Sequence, residues 1–215
     1  MARAKQSRAT DGGPGIPGVP SRQALLNASI ALFADRGYDA TGVQEIVDRA
    51  NLTKGSFYYA FESKEDVLRQ IQDQFIERCL TALDGVLAEG HPPDVALTKA
   101  IGWFIAISGE QREELSIFFQ ESRHLTEPFF ADVRRKRDLF EEKFVSLLTA
   151  GQEAGVFREV PSRIMGFGII GMCAWAYHWV RPELGPTDPI GEAYADVLLN
   201  GLYTVPRPAP TDPVR

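Results

Sequence analysis

The sequence predicts an all-α protein of about nine helices, and three observations carry that prediction. Apolar residues recur at helical spacing across residues 21–203, in stripes such as Val67, Leu68, Ile71, Phe75, Cys79 and Leu83. No segment in that stretch holds the apolar–polar alternation of a half-buried strand. The breaks between stripes are helix-ending residues: Gly37, the run Gly90-His-Pro-Pro93, Gly155 and the proline-rich loop 181–189.

Taken in order, Ser21 is an N-cap for a first helix with Leu25, Ala28, Leu32 and Phe33 on one side, stopped at Gly37. Thr41-Gly-Val-Gln44 fits a capping box, Thr41 bonding forward and Gln44 back, and opens a second helix that buries Val43, Ile46, Val47 and Ala50. A third, short helix runs from about residue 54 to 61. Ser63 then caps a long fourth helix. Five more are expected at about 94–108, 110–124, 128–154, 161–180 and 190–203. Three prolines in 181–189 keep the last two apart. The resulting organisation is a flexible basic and Gly/Pro-rich leader (1–20), a helix-turn-helix domain (21–66), a larger regulatory domain (67–203) and a proline-rich tail (204–215).

Composition narrows the function. The chain has 215 residues, 44% of them hydrophobic, enough for a buried core. Two cysteines, Cys79 and Cys173, suit neither a disulfide framework nor a zinc site, and read as small buried hydrophobes in a reducing cytoplasm. Residues 164–180 carry no formal charge. Seventeen residues span only ~26 Å, short of a ~30 Å hydrocarbon core, so a buried helix and no membrane are expected. Net charge is −6, yet residues 1–65 hold 8 Lys/Arg against 7 Asp/Glu. The acidic excess lies in the remainder, so any contact with DNA must be local and geometric.

A helix-turn-helix needs a tight turn with one left-handed residue, and Asn51 stands where that residue belongs. Phe57 and Phe61, spaced i, i+4, then pack the third helix inward. Thr53, Lys54, Ser56, Tyr58 and Tyr59 face outward, a surface suited to a groove edged by phosphates.

The residues Leu25-Leu, Leu32-Phe, Gly37, Thr41, Val43, Ile46, Ala50 and Thr53-Lys-Gly-Ser-Phe-Tyr-Tyr-Ala-Phe-Glu-Ser-Lys64 together resemble the DNA-binding region of the tetracycline-repressor (TetR) family. The likeness covers about 48 of 215 residues and is densest over Gly55-Ser-Phe-Tyr, Phe61 and Ser63-Lys64. Asn51 replaces a common Gly, Val47 a common Ala, and Ala60 a frequent His, which removes one backbone contact to DNA. The resemblance implies double-stranded operator DNA and a second copy of the chain as partners. It also implies phosphate contacts from Thr41, Tyr58 and Lys64, the first and last beside helix N-termini. Gln44, Lys54, Ser56 and Tyr59 become candidates for base edges, with Thr53 and Gly55 beside them. Gln44 reads equally as cap and as base contact. Arg3, Lys5 and Arg8 read equally as a minor-groove arm and as an idle leader.

For the larger part, the resemblance implies pairing through the last two helices. Gly168 and Gly171 would permit close approach, with Tyr194, Val197 and Leu198 on the second surface. It implies a cavity for a small hydrophobic effector, for which Trp103, Phe104, Phe118, Phe119, Trp175 and His178 are candidates, although aromatic sets of this kind are commonly plain core. The tail of the eighth helix, Trp175-Ala-Tyr-His-Trp-Val-Arg-Pro182, is similar to members that control fatty-acid, sterol or aromatic-acid breakdown and often sense acyl-CoA thioesters. The run Arg134-Arg-Lys-Arg137 is then a candidate partner for CoA phosphates, with a solvated helix face as its ordinary alternative. Repression is the family default and activation the alternative. No cofactor is expected. The rival enzyme reading rests on the E-x-x-H pair Glu121 and His124, which lacks the second copy a di-iron bundle needs. The histidines His91, His124 and His178 are far apart, so no catalytic or metal residue is assigned.

Overall fold

The computed structural model describes residues 21–204. The leader with Arg3, Lys5 and Arg8, and the tail beyond Thr204, lie outside the described residues. Nine α-helices occur among them: α1 Ser21–Arg36, α2 Val43–Arg49, α3 Lys54–Ala60, α4 Lys64–Ala88, α5 Pro93–Glu110, α6 Arg112–Gln120, α7 Phe129–Glu153, α8 Ser162–Trp175 and α9 Asp188–Leu202. An isolated bridge, Phe157 to Tyr203, is the sole extended pairing described. The chain divides into two compact units, the first ending at Val67 and the second beginning at Leu68.

The first unit wraps α1, α2 and α3 around Leu25, Phe33, Ile46, Val47, Phe57 and Phe61, all buried. Two left-handed residues set its corners: Gly37 (φ 84°) ends α1, and Asn51 (φ 54°) turns α2 into α3. Asn tolerates that φ where a β-branched residue would not. In the second unit α5 is central and packs against α9, α8 and α7. Its crossing with α9 depends on glycine. A Cβ on Gly191 would stand 2.9 Å from the Gly102 Cα, backbone that has nowhere to retreat. The Ser108 hydroxyl donates to Phe104 O (2.7 Å) within α5 and approaches Cys173 O of α8 at 3.2 Å. Cys79 and Cys173 are buried and unpaired, and loss of solvent pushes both thiols up to about 12, so neither is a thiolate at neutral pH.

Three local expectations change. The N-cap of α2 is Gly42, not Thr41, with the Glu45 carboxylate accepting from the Gly42 N–H at 2.9 Å. Thr41 is instead turned inward, its hydroxyl donating to Gly37 O (2.9 Å) and Leu32 O (3.4 Å) at the end of α1. Next, α6 stops at Gln120 and tightens into a 3-10 turn, Ser122–His124. There the buried Glu121 carboxylate meets His124 Nε2 at 3.2 Å, and three-residue spacing stacks their side chains. Finally, α8 ends at Trp175 rather than near residue 180. The Arg112 guanidinium takes the Tyr177 carbonyl at 2.6 Å, and Pro182 has no N–H with which to continue a helix.

Candidate nucleic-acid interface and effector cleft

The outward face of α3 is built by its two ends. Thr53 caps it, accepting from Ser56 N at 3.2 Å, and the Thr53 and Ser56 hydroxyls meet at 3.0 Å. Phe57 and Phe61 anchor the opposite face, 0% and 2% exposed, with their rings 5.7 Å apart. Tyr58 (59% exposed) and Tyr59 (95%) therefore stand out with the exposed Lys54 and Gly55. Tyr58 still meets the Phe57 ring edge-on at 5.3 Å, but the Tyr59 ring gains little from the fold, whereas a groove offers it phosphate oxygens and base edges. Tyr59→Ala is expected to leave the melting temperature unchanged and to weaken operator binding by roughly tenfold or more, the scale of one good base contact. A gel shift beside a thermal melt checks it.

Beside this face lies a shallow concavity lined by Ser21, Arg22, Thr53, Gly55, Ser56 and Tyr59. Arg22 stacks its guanidinium 5.1 Å above the Phe61 ring, which holds a cation at the rim. The sequence offered one signal for it, a basic residue in the first turn of α1.

Three predicted contacts are placed otherwise. Thr41 is 2% exposed and its hydroxyl already donates to carbonyls at the end of α1, so it has no free O–H to offer a phosphate. Gln44 is exposed but takes no part in the cap. Its amide donates to Asp48 Oδ1 at 2.7 Å on the surface of α2. Lys64 does not extend into solvent: Nζ donates to Tyr38 O (2.7 Å) and Thr41 O (2.8 Å) and lies 4.0 Å from the Tyr38 ring centroid. Its charge ties the first turn of α4 to the corner between α1 and α2. Ser63 does cap α4, accepting from Asp66 N at 3.0 Å.

In the second unit the aromatic candidates part company. Phe104 and Phe118 are buried. Phe104 meets Phe140 edge-on at 5.8 Å, and Trp103 stacks on Phe104 at 6.0 Å. None of the three lines the cleft. Phe119 and Trp175 do, with Phe167, Ile170, Ala174 and Tyr177, in an open hollow of about 470 Å³. His178 is exposed, lies against the Trp175 (3.9 Å) and Tyr177 (4.0 Å) rings, and does not line that hollow. Glu141 and Phe167 also line a neighbouring hollow of about 340 Å³ whose walls include Arg134 and Arg163 beside Asp138 and Glu142, so an apolar end passes into one of mixed charge.

The basic run on α7 is not a single cationic patch. Arg134 faces Asp138 (3.9 Å), Arg135 pairs with Asp132 (3.1 Å), Lys136 with Asp73 (2.5 Å) and Glu77 (2.6 Å) of α4, and Arg137 faces Glu141 (3.6 Å). Only Arg134 of the four lines that hollow. Consecutive residues splay by about 100° around a helix, which scatters the run. The outer faces of α8 and α9 leave Ile164 (69%), Trp175 (64%) and Val197 (68%) exposed, with Gly168 and Gly171 open beside them and Tyr194 and Leu198 half-buried. Among the described residues no group of His, Cys, Asp and Glu is arranged to hold a metal ion, and no helix is long and apolar enough to cross a membrane.

Residues 25–71 match the model of bacterial regulatory proteins of the tetR family, and residues 90–202 match a tetracyclin repressor-like C-terminal domain. The chain is 28% identical over 184 residues to the HTH-type transcriptional repressor KstR2 of Rhodococcus jostii, covering 84% of this chain and 90% of that protein. Its fold is similar to the ketosteroid transcriptional regulator KstR2 of Mycobacterium tuberculosis (TM-score 0.80, 24% identity, 89% of this chain and 98% of that one). It is also similar to AibR, solved with isovaleryl coenzyme A and operator DNA (TM-score 0.74, 23% identity, 86% and 98%).

Proposed function

The chain belongs to the TetR family of helix-turn-helix transcriptional regulators, and from that premise we propose that it is a homodimeric repressor released from its operator by an acyl-CoA thioester with a large apolar acyl group. DNA binding is assigned to residues 21–66, and effector binding and dimerisation to residues 67–203, acting in the cytoplasm. One observation carries the DNA assignment: after the positive-φ turn at Asn51, Phe57 and Phe61 go inward while Lys54, Ser56, Tyr58 and Tyr59 are left on the outer face of α3. Two copies would present these faces about 34 Å apart on one side of the duplex.

The effector reading is supported by the paired hollows. A wall of Phe119, Phe167 and Trp175 suits an apolar body, and at the mixed-charge end Arg134 and Arg163 are the groups that would meet a CoA phosphate, in competition with Asp138, Glu141 and Glu142. AibR, of the same fold, binds a CoA thioester together with operator DNA. Helix α4 has its first turn in the first unit and its remainder in the second, so a ligand that shifts the second acts on the mounting of the first. A coupling of about 1–3 kcal/mol changes operator affinity 5- to 150-fold.

A gel shift on the DNA upstream of the protein's own coding region, repeated with medium-chain, aromatic and steroid acyl-CoA thioesters, tests both halves. A retarded band that one class of thioester dissolves at micromolar concentration is expected. A band that no thioester alters refutes the effector, and no band on that or neighbouring promoters refutes the operator.

A further inference from the structure

Gln72 is fully buried in the middle of α4, and neither its amide nitrogen nor its amide oxygen has a hydrogen-bond partner. A primary amide has two donors and an acceptor, and leaving all of them unmet in an interior costs folding free energy. One turn away on the helix, Leu68, Phe75 and Ile76 are buried and apolar, and Arg69 alone is charged and half-buried. The apolar stripe of α4 would accept leucine at this position without any change of pattern.

A line of aromatic contacts joins this spot to the cleft. Phe75, one turn beyond Gln72, meets Phe118 at 5.2 Å. Phe118 meets Phe119 at 5.7 Å, and Phe119 stacks on Tyr177 at 6.3 Å. Phe119 and Tyr177 are cleft wall. Phenyl rings turn about two side-chain bonds, so an apolar ligand entering the cleft can deepen it along this line by moving rings rather than backbone.

We propose that Gln72 recognises a neutral oxygen, a carbonyl or hydroxyl, on the buried end of the effector. A neutral oxygen is the partner that an uncharged amide serves in an interior without a buried ion. The effector class is thus an acyl thioester whose distal end is oxygenated but uncharged. Because Gln72 rides on α4, the new hydrogen bond forms in the liganded arrangement alone, which gives the ligand the differential affinity a switch needs. The inference rests on the effector reading above.

The test uses the full-length protein and two probes, decanoyl-CoA and 9-oxodecanoyl-CoA, titrated by tryptophan fluorescence. Wild type is expected to bind the oxo thioester about tenfold more tightly, and Gln72→Leu to bind the two equally or to reverse the order. In the absence of ligand, Gln72→Leu and Gln72→Met should both melt several degrees above wild type, because an unmet polar group has been removed. Equal binding of both probes by wild type overturns the Gln72 role and leaves the thioester reading standing. Binding of neither probe overturns both. Lower melting temperatures in both variants overturn the proposal as well, since the amide then has a structural partner.

Discussion

The double substitution Ile164→Glu with Val197→Glu is expected to reduce operator affinity by a factor of 10³ or more, to the level of non-specific binding, while the protein stays folded. Both side chains are about two-thirds exposed, so carboxylates there meet water in a lone chain and disturb little. They lie on the outer faces of α8 and α9, the helices that pack inward on α5 and leave Ile164, Met172 and Val197 uncovered. An isologous contact through that face would bring the four introduced carboxylates of two copies into one desolvated seam, where each is buried without a counter-ion. Two half-sites then bind independently, and the product of two modest affinities is lost. Sedimentation measures the first step, and gel shift the second. A variant that sediments as a dimer and still binds DNA would place the dimer elsewhere.

Lys64→Met is expected to lower the melting temperature of the DNA-binding unit by several degrees and to weaken operator binding without altering its salt dependence. The ammonium makes two bonds to backbone carbonyls, of Tyr38 and Thr41, and lies over the Tyr38 ring. Charge-assisted bonds of this kind contribute about 1.5–3 kcal/mol each when buried, and the half-buried setting here argues for the lower end. The methionine stem preserves the packing and deletes the charge. Had Lys64 held a phosphate, its loss would flatten the salt slope by about one unit. The slope of log affinity against log salt therefore separates the two roles. A flattened slope with an unchanged melting temperature would restore the phosphate contact.

These two results bear on how far a single sequence could be read. The DNA-binding unit was legible because its signals are local. Asn51 marks the left-handed turn, Phe57 and Phe61 mark the buried side of α3, and Ser63 marks the cap of α4, and each acts over four residues or fewer. The residue classes of the cleft were legible too, in Phe119 and Trp175, but their company was not. Phe104 and Phe118 have the same character in sequence and went to the core, and Trp103 stacks half-buried on Phe104 away from the cleft, because membership of a pocket depends on which helix faces which.

The sequence by itself determined the helical class, the order and approximate ends of the helices, and the outward tyrosines of α3, since periodicity, caps and turn residues act on the chain within a few positions. The tertiary structure alone decided that Thr41 turns in to α1 carbonyls, that Lys64 spans 26 residues to hold Tyr38, that the basic run of α7 is divided among carboxylates, and that Gln72 is buried with its amide unmet. Each of those outcomes is a competition for hydrogen bonds or charge between groups distant in sequence, and no local pattern records which partner wins.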